Sequence, residues 1–319
     1  MGARMLEWMS AKNPQVMNKR TTLLPIYLLA FATAMYGQNS GSAQVRGGPA
    51  QLTYDFNNHE GWQQIFDGRT LNGWDGSKDV WRVENGVIVG ESTVEHPTIW
   101  WVTPSDTGTA WLILNGKLKN FEFKTEIKLG TKTTNSGIQF RATRLGAIPD
   151  AEYAAQLKKH FGDGGPAVRP NNTAWENRGY QGDFTWNPNG SLIDCCMGPQ
   201  RGVGQAVRDN TNPLAPRQTG TASRGNFVRS GPEGGKPELI ATIQDPQVLA
   251  SYFKIGDWNQ IEIVADGNVM AYVVNGHLMS LWIDDNQKLG NPEGELALQL
   301  EGGEHTEVEF RNLWLKTLP

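Results

Sequence analysis

Asn135-Ser136-Gly137-Ile138-Gln139-Phe140-Arg141 is the stretch that decides the fold. Read as a strand, it sends successive side chains to opposite faces of a sheet. Ile138 and Phe140, with Ser136, take one face. Asn135, Gln139 and Arg141 take the other, and Gly137 among them leaves room for a close approach. Amides and a guanidinium on the second face recognise polar partners by directed hydrogen bonds.

The same alternation recurs along the chain. In 121–129, Phe121, Phe123, Thr125, Ile127 and Leu129 face one way, and Glu122, Lys124, Glu126 and Lys128 the other. Tyr180 and Phe184 oppose Gln181 and Asp183; Leu296, Leu298 and Leu300 oppose Gln299 and Glu301. Asn85-Gly86 and Asn275-Gly276 stand between apolar runs, the strongest short-range hairpin signal. Short helices are expected at 151–161, capped by Asp150, and within 249–255. The segments 148–178 and 198–238 break the β rhythm and read as long irregular stretches, either functional lids or disordered. With strands dominant and no βαβ alternation, the fold class is all-β, a sandwich of two antiparallel sheets with short helical insertions.

The chain has 319 residues and a net charge of -4, with 37 Gly and 12 Trp. No basic block occurs, which argues against nucleic acid as a partner. The two cysteines, Cys195 and Cys196, are adjacent, so a disulfide framework is excluded; they read as two buried thiols or a vicinal disulfide. Residues 1–50 read as an export signal and linker. Met17-Asn18-Lys19-Arg20 is a basic start, 23–34 an apolar core, and Ala32-Thr33-Ala34 and Gly41-Ser42-Ala43 are alternative cleavage sites. The apolar run is short for a membrane span, so the mature chain is expected to carry none. Residues 51–319 then form a single domain, exported to the periplasm or beyond.

Collecting the outward polar residues gives Glu126, Asn135, Gln139, Arg141, Gln181, Asp183, Gln299 and Glu301. If their strands neighbour one another, they form one surface of carboxylates, amides and a fixed cation, suited to a polyhydroxylated ligand with nearby aromatic rings to stack on sugar faces. Glu122, Lys124, Lys128 and Glu309 read instead as a solvated face, and an ion pair of Asp183 with Arg141 that only shapes the pocket is the alternative to a functional role for those two. Asp183 with Glu301 or Glu126 is the candidate pair for acid–base chemistry. The histidines show no metal spacing. A Ca²⁺ site at Asp284 and Asp285, near Asn286, is the candidate for a divalent ion, with a solvated turn as the alternative.

Several motifs, in order, resemble the 3-keto-disaccharide hydrolase family. They are residues 65–74 (IFDGRTLNGW), 81–88 (WRVENGVI), the opening stretch, Gly179-Tyr180-Gln181-Gly182-Asp183, Gly256-Asp257-Trp258-Asn259, Asn275-Gly276-His277-Leu278, Leu298-Gln299-Leu300 and Phe310-Arg311-Asn312-Leu313. The resemblance implies a concanavalin A-like jelly roll of two curved sheets, in exported bacterial proteins that act on glycosides. Some members act on 3-keto sugars, where the keto group acidifies the C2 proton and permits elimination followed by hydration. It also implies a departure, since relatives often carry His where this chain has Glu301. On this reading Asp183 or Glu301 transfers the proton, a divalent ion or Arg141 stabilises the enolate, and Asn135, Gln139, Gln181, Gln299 and Glu126 hold the sugar. A carbohydrate-binding module without catalysis is the alternative on the same scaffold.

Overall fold

The computed structural model describes residues 55–93, 95–96, 109–130, 135–144, 175, 177–185, 200–203, 220–232, 237–286, 292–301 and 305–319. The expected leader, the helix expected at 151–161, and Cys195 and Cys196 lie outside these residues. In chain order the strands are β1 (Gln63–Gln64), β2 (Trp74–Asp75), β3 (Trp81–Glu84), β4 (Val87–Glu91), β5 (Thr109–Leu118), β6 (Phe121–Leu129), β7 (Asn135–Arg144), β8 (Asn177–Thr185) and β9 (Gln200–Val203). They continue as β10 (Gly220–Thr221), β11 (Asn226–Ser230), β12 (Glu238–Thr242), β13 (Asn259–Asp266), β14 (Val269–Val274), β15 (His277–Asp284), β16 (Gly294–Glu301) and β17 (Glu307–Thr317). One short helix, α1 (Pro246–Ala250), is capped by the Asp245 carboxylate, which accepts from the Gln247 and Val248 amides. It ends about where a helix was expected to begin, because Asp245-Pro246 supplies the cap and first turn.

The strands form two sheets. The ten-stranded sheet runs β12-β11-β15-β14-β13-β6-β17-β4-β3, with β1 added on β17; the seven-stranded sheet runs β10-β9-β8-β7-β16-β5-β2. Pairings are antiparallel except β11 with β15. This is the jelly-roll sandwich, built from strands far apart in sequence. Both expected Asn-Gly hairpins form. Asn85 and Gly86 have φ of 49° and 83°, and Asn275 and Gly276 of 49° and 78°. Two successive left-handed residues make the turn whose twist matches the strands it joins.

The core lies between the sheets. Phe121, Phe123, Ile127, Ile261, Ile263, Phe310 and Leu313 from one meet Leu112, Ile138, Phe140, Phe184, Leu296, Leu298 and Leu300 from the other. Phe121 and Phe140 touch edge to face across the gap, ring centres 6.1 Å apart, and Phe184 meets Tyr272 at 5.9 Å. Outside the core, the expected solvated face changes at Glu122, which is buried and accepts from Lys316 at 3.3 Å, and at Lys124. Lys124 does not sit on a solvated face: it is 2% exposed. Its ammonium donates to the Phe56 and Asn58 carbonyls at 2.8 and 2.6 Å and lies 4.2 Å from the Trp62 ring centre. The chain entering the fold crosses the ten-stranded sheet there, and the lysine ties it down. No helix among the described residues is long and apolar enough to cross a membrane.

Candidate functional site

Residues paired across antiparallel strands project to the same side, so the outer face of the seven-stranded sheet can be read in rows. One row crosses Asp183 on β8, Gly137 on β7, Gln299 on β16 and Trp111 on β5. The next holds Gln181, Gln139, Ala297, Ile113 and, on β2, Asp75. On the other side of the first row, Asn135 pairs with Glu301.

The glutamines join across strands. Gln139 Nε2 donates to Gln181 Oε1 at 3.2 Å, Gln181 Nε2 to Gln299 Oε1 at 2.9 Å, and Gln299 Nε2 to Glu301 Oε2 at 2.5 Å. Gln181 Nε2 also stands 3.5 Å from Asp183 Oδ1. The three glutamines are 0%, 1% and 1% exposed, whereas Asn135, Asp183 and Glu301 are partly exposed. A carboxylate only accepts, so Glu301 turns the Gln299 amine toward itself, and each amide upstream must follow. The polarity runs back to Gln139, whose Oε1 is buried and finds no donor.

This string exists because residue 137 is glycine. Gln181 and Gln299 come from the strands on either side of β7 and meet above it. A Cβ at Gly137 would stand 2.6 Å from Gln181 Nε2 and 2.9 Å from Gln299 Oε1. On the core side, a Cβ on Gly182 would stand 2.9 Å from the Tyr272 ring, whose hydroxyl donates to the Asp183 carbonyl at 3.4 Å. Burial, and then the Asp183 charge, push the Tyr272 hydroxyl well above its ordinary value, so it stays neutral.

Beside the string lies a small apolar cluster of Trp111, Ile113 and Ala297, with Trp175 packed on it. Trp175 Nε1 donates to Asp75 Oδ1 at 2.8 Å. Arg144 pairs with the same carboxylate and, at 3.3 Å, with Glu295. The hydrogen bond from Arg144, then that from Trp175, hold the Asp75 carboxyl below its ordinary value.

Residues 61–316 match the family described as the 3-keto-alpha-glucoside-1,2-lyase-like domain. The chain belongs to that family. No curated protein matches it. Solved structures similar to it include a protein provisionally described as a glycosyl hydrolase from Parabacteroides distasonis (16% identity, TM-score 0.39, covering 82% of this chain and 95% of that one). A carbohydrate-binding module from Bacillus subtilis aligns at 12% identity and TM-score 0.37, over 77% of this chain and 96% of that one. A legume lectin-like domain from Entamoeba histolytica aligns at 10% and 0.38, over 81% and 97%. Alignments this loose carry no argument about function.

In this lyase-like domain, six of the eight residues singled out in the sequence gather on one face: Asn135, Gln139, Gln181, Asp183, Gln299 and Glu301. Arg141 and Glu126 do not join them. Arg141 has φ of 47° and sits where the β7–β8 register shifts, so its side chain leaves the alternation. Its guanidinium donates to the Lys119 carbonyl, at 2.9 Å from Nε and 2.6 Å from Nη2, and to the Gly267 carbonyl at 2.7 Å. It therefore binds two turns together rather than pairing with Asp183, and burial pulls its pKa below the ordinary value. Glu126 points outward as expected, but from the ten-stranded sheet. There it accepts from Arg311 at 2.9 Å and Asn312 at 2.5 Å. The Asp284–Asp285 turn is also engaged by protein. Asp284 accepts from the Tyr180 hydroxyl at 2.8 Å, and Asp285 from Arg229 at 2.6 Å and Asn268 at 2.5 Å. Among the described residues no group of three or more His, Cys, Asp or Glu is placed to hold a metal.

Sequence reasoning missed Trp111, Trp175, Asp75 and Arg144. Trp111 could have been found, since Ala110, Leu112 and Leu114 alternate inward around it. Trp175 and Asp75 come from stretches too short to show a period.

Proposed function

We propose that the protein is an exported enzyme that cleaves a modified glycoside, a 3-keto-glycoside, on the outer face of the seven-stranded sheet. The observation that carries this is the glutamine string ending on partly exposed carboxylates: buried amides fix the acidic groups, whose exposed side faces outward from the sheet. Family membership points to sugar cleavage, and the basic-then-apolar stretch at 17–34 supports export.

Asp183 and Glu301 stand on the strands flanking β7, two residues out of line. Their Cα atoms are thus about 12 Å apart, from two strand spacings and two residues of rise. Carboxylates so placed address opposite sides of a ring. One takes the C2 proton made acidic by the C3 carbonyl, and the electron pair collapses toward C1 as the C1–oxygen bond breaks. The other delivers a proton to the departing oxygen, and water then adds at C1. The amide donors on each carboxylate hold its orientation through both transfers.

The test is product analysis on matched disaccharides, one plain and one oxidised at C3. Only the oxidised member should release free sugar. Asp183→Asn and Glu301→Gln should each lower turnover by roughly 10²–10⁴-fold, with melting temperature unchanged. Binding of both sugars with no release from either would replace the enzyme by a carbohydrate-binding module.

A further inference from the structure

We propose that Trp175 is the platform of a second sugar subsite, which holds a ring beside the one that the carboxylates address. The inference rests on the reading of this face as a glycoside site, and adds to it where the second ring lies and what holds it. Trp175 is partly exposed, yet it is fixed in place. Its indole packs on Trp111, Ile113 and Ala297, and its N–H is tied to Asp75. Asp75 is gripped in turn by Arg144, which Glu295 also engages. A flat ring held at both its apolar face and its polar edge loses little freedom when a pyranose lies against it.

The polar atoms around the platform name the ligand class. Trp111 Nε1, Gln139 Oε1 and both amide atoms of Asn177 are buried without a hydrogen-bond partner. Trp111 belongs to the cluster under Trp175. Gln139 is the register partner of Ala297, also in that cluster. Asn177 lies two residues along from Trp175 and pairs with Arg144. Unmet groups of this kind are costly to bury and call for a partner from outside the protein, water or a ligand. Two of these atoms donate and two accept. An anion would want donors alone and a cation acceptors alone. Hydroxyl groups, which do both, match the mixture. Arg144, the cation that the described residues place here, already faces two carboxylates, so a charged ligand gains nothing from it. Apolar floor, flat ring and mixed donors and acceptors together describe a neutral pyranose.

The test uses calorimetric binding of unoxidised sugars to the full chain, so that it does not depend on turnover. Maltose, cellobiose and trehalose are compared with methyl α-glucoside, which lacks the second ring. Wild-type protein should bind at least one disaccharide more tightly than the methyl glucoside. Trp175→Leu keeps apolar cover but loses the flat ring, and should weaken that disaccharide roughly tenfold while leaving the methyl glucoside unchanged. Trp175→Phe keeps the ring and should retain most of the affinity. Equal binding by Trp175→Leu and wild type would overturn the proposal, as would a wild type that binds no disaccharide or does not prefer one. Equal losses in both variants would also overturn it, assigning the effect to the Asp75 hydrogen bond. Failure of the enzyme reading would show elsewhere, as absent product from oxidised sugars with this binding pattern intact.

Discussion

A single added methyl group at Gly137 would test the glutamine string most directly. The new Cβ would stand 2.6 Å from Gln181 Nε2, 2.9 Å from Gln299 Oε1 and 2.9 Å from the Gly182 carbonyl. Two of these atoms end flexible side chains and can swing away, but only by abandoning the hydrogen bond between them. The third is backbone on the paired strand and cannot. Gly137→Ala should therefore cost about 1–3 kcal/mol of stability, measured by urea unfolding. It should lower activity further than that loss explains, because Glu301 would lose the support that runs through Gln299. A variant with lowered melting temperature but normal turnover on oxidised disaccharide would show that the string is not needed to orient the carboxylates.

At the scale of the strand, β7 shows what alternation can and cannot tell. From Asn135 to Phe140 the period of two holds, and every side chain lies on the face that the sequence assigned. At Arg141 the backbone turns left-handed and the register with β8 and β16 shifts. No signal within the strand marks that irregularity: the groups that Arg141 reaches from it are the carbonyls of two distant turns, at Lys119 and Gly267. Glu126 was misjudged for another reason. Its outward direction was legible, but which sheet β6 joins depends on pairing with β13 and β17, more than a hundred residues away. The hairpins were legible because Asn-Gly carries its conformation locally. The two misplaced residues should behave differently on mutation. Arg141→Ala leaves buried carbonyls without their donor and should cost on the order of 2 kcal/mol or more. Glu126→Gln alters an ion pair at the surface and should cost under about 1 kcal/mol. Neither should change sugar affinity at temperatures where the variant is folded. A selective loss of binding in Arg141→Ala would return the guanidinium to the ligand.

Across the whole sandwich, acid should weaken the fold in two separable windows. His277, at the start of β15, lies flat on Tyr252 with ring centres 3.4 Å apart and planes 5° from parallel. Burial lowers its pKa below the ordinary 6.5. The unfolded chain therefore takes up the proton first, and stability falls as pH drops from above 6.5 until the folded imidazole is protonated as well. Asp75 has its pKa depressed below 3.8 by Arg144 and Trp175, so its contribution is complete above that value and lost as pH falls through the folded one. Glu307 opposes this. Burial, then Glu309 and Glu91, raise it above 4.5, so protonation there relieves strain in the folded state. Near neutrality only the histidine window operates among these three groups. His277→Phe keeps a ring against Tyr252 and removes the titration, so its melting temperature should fall less than wild type between about pH 7.5 and about pH 5.5. Parallel curves would mean that the stacked imidazole is protonated as easily in the fold as out of it, and that the near-neutral sensitivity arises elsewhere. Asp75→Asn should leave that slope untouched: it loses the ion pair with Arg144, so its stability should be lower than wild type above the acid window and converge with it as pH falls through that window. The carboxamide at 75 still offers Trp175 Nε1 an acceptor, so disaccharide binding should hold in that variant, as in His277→Phe.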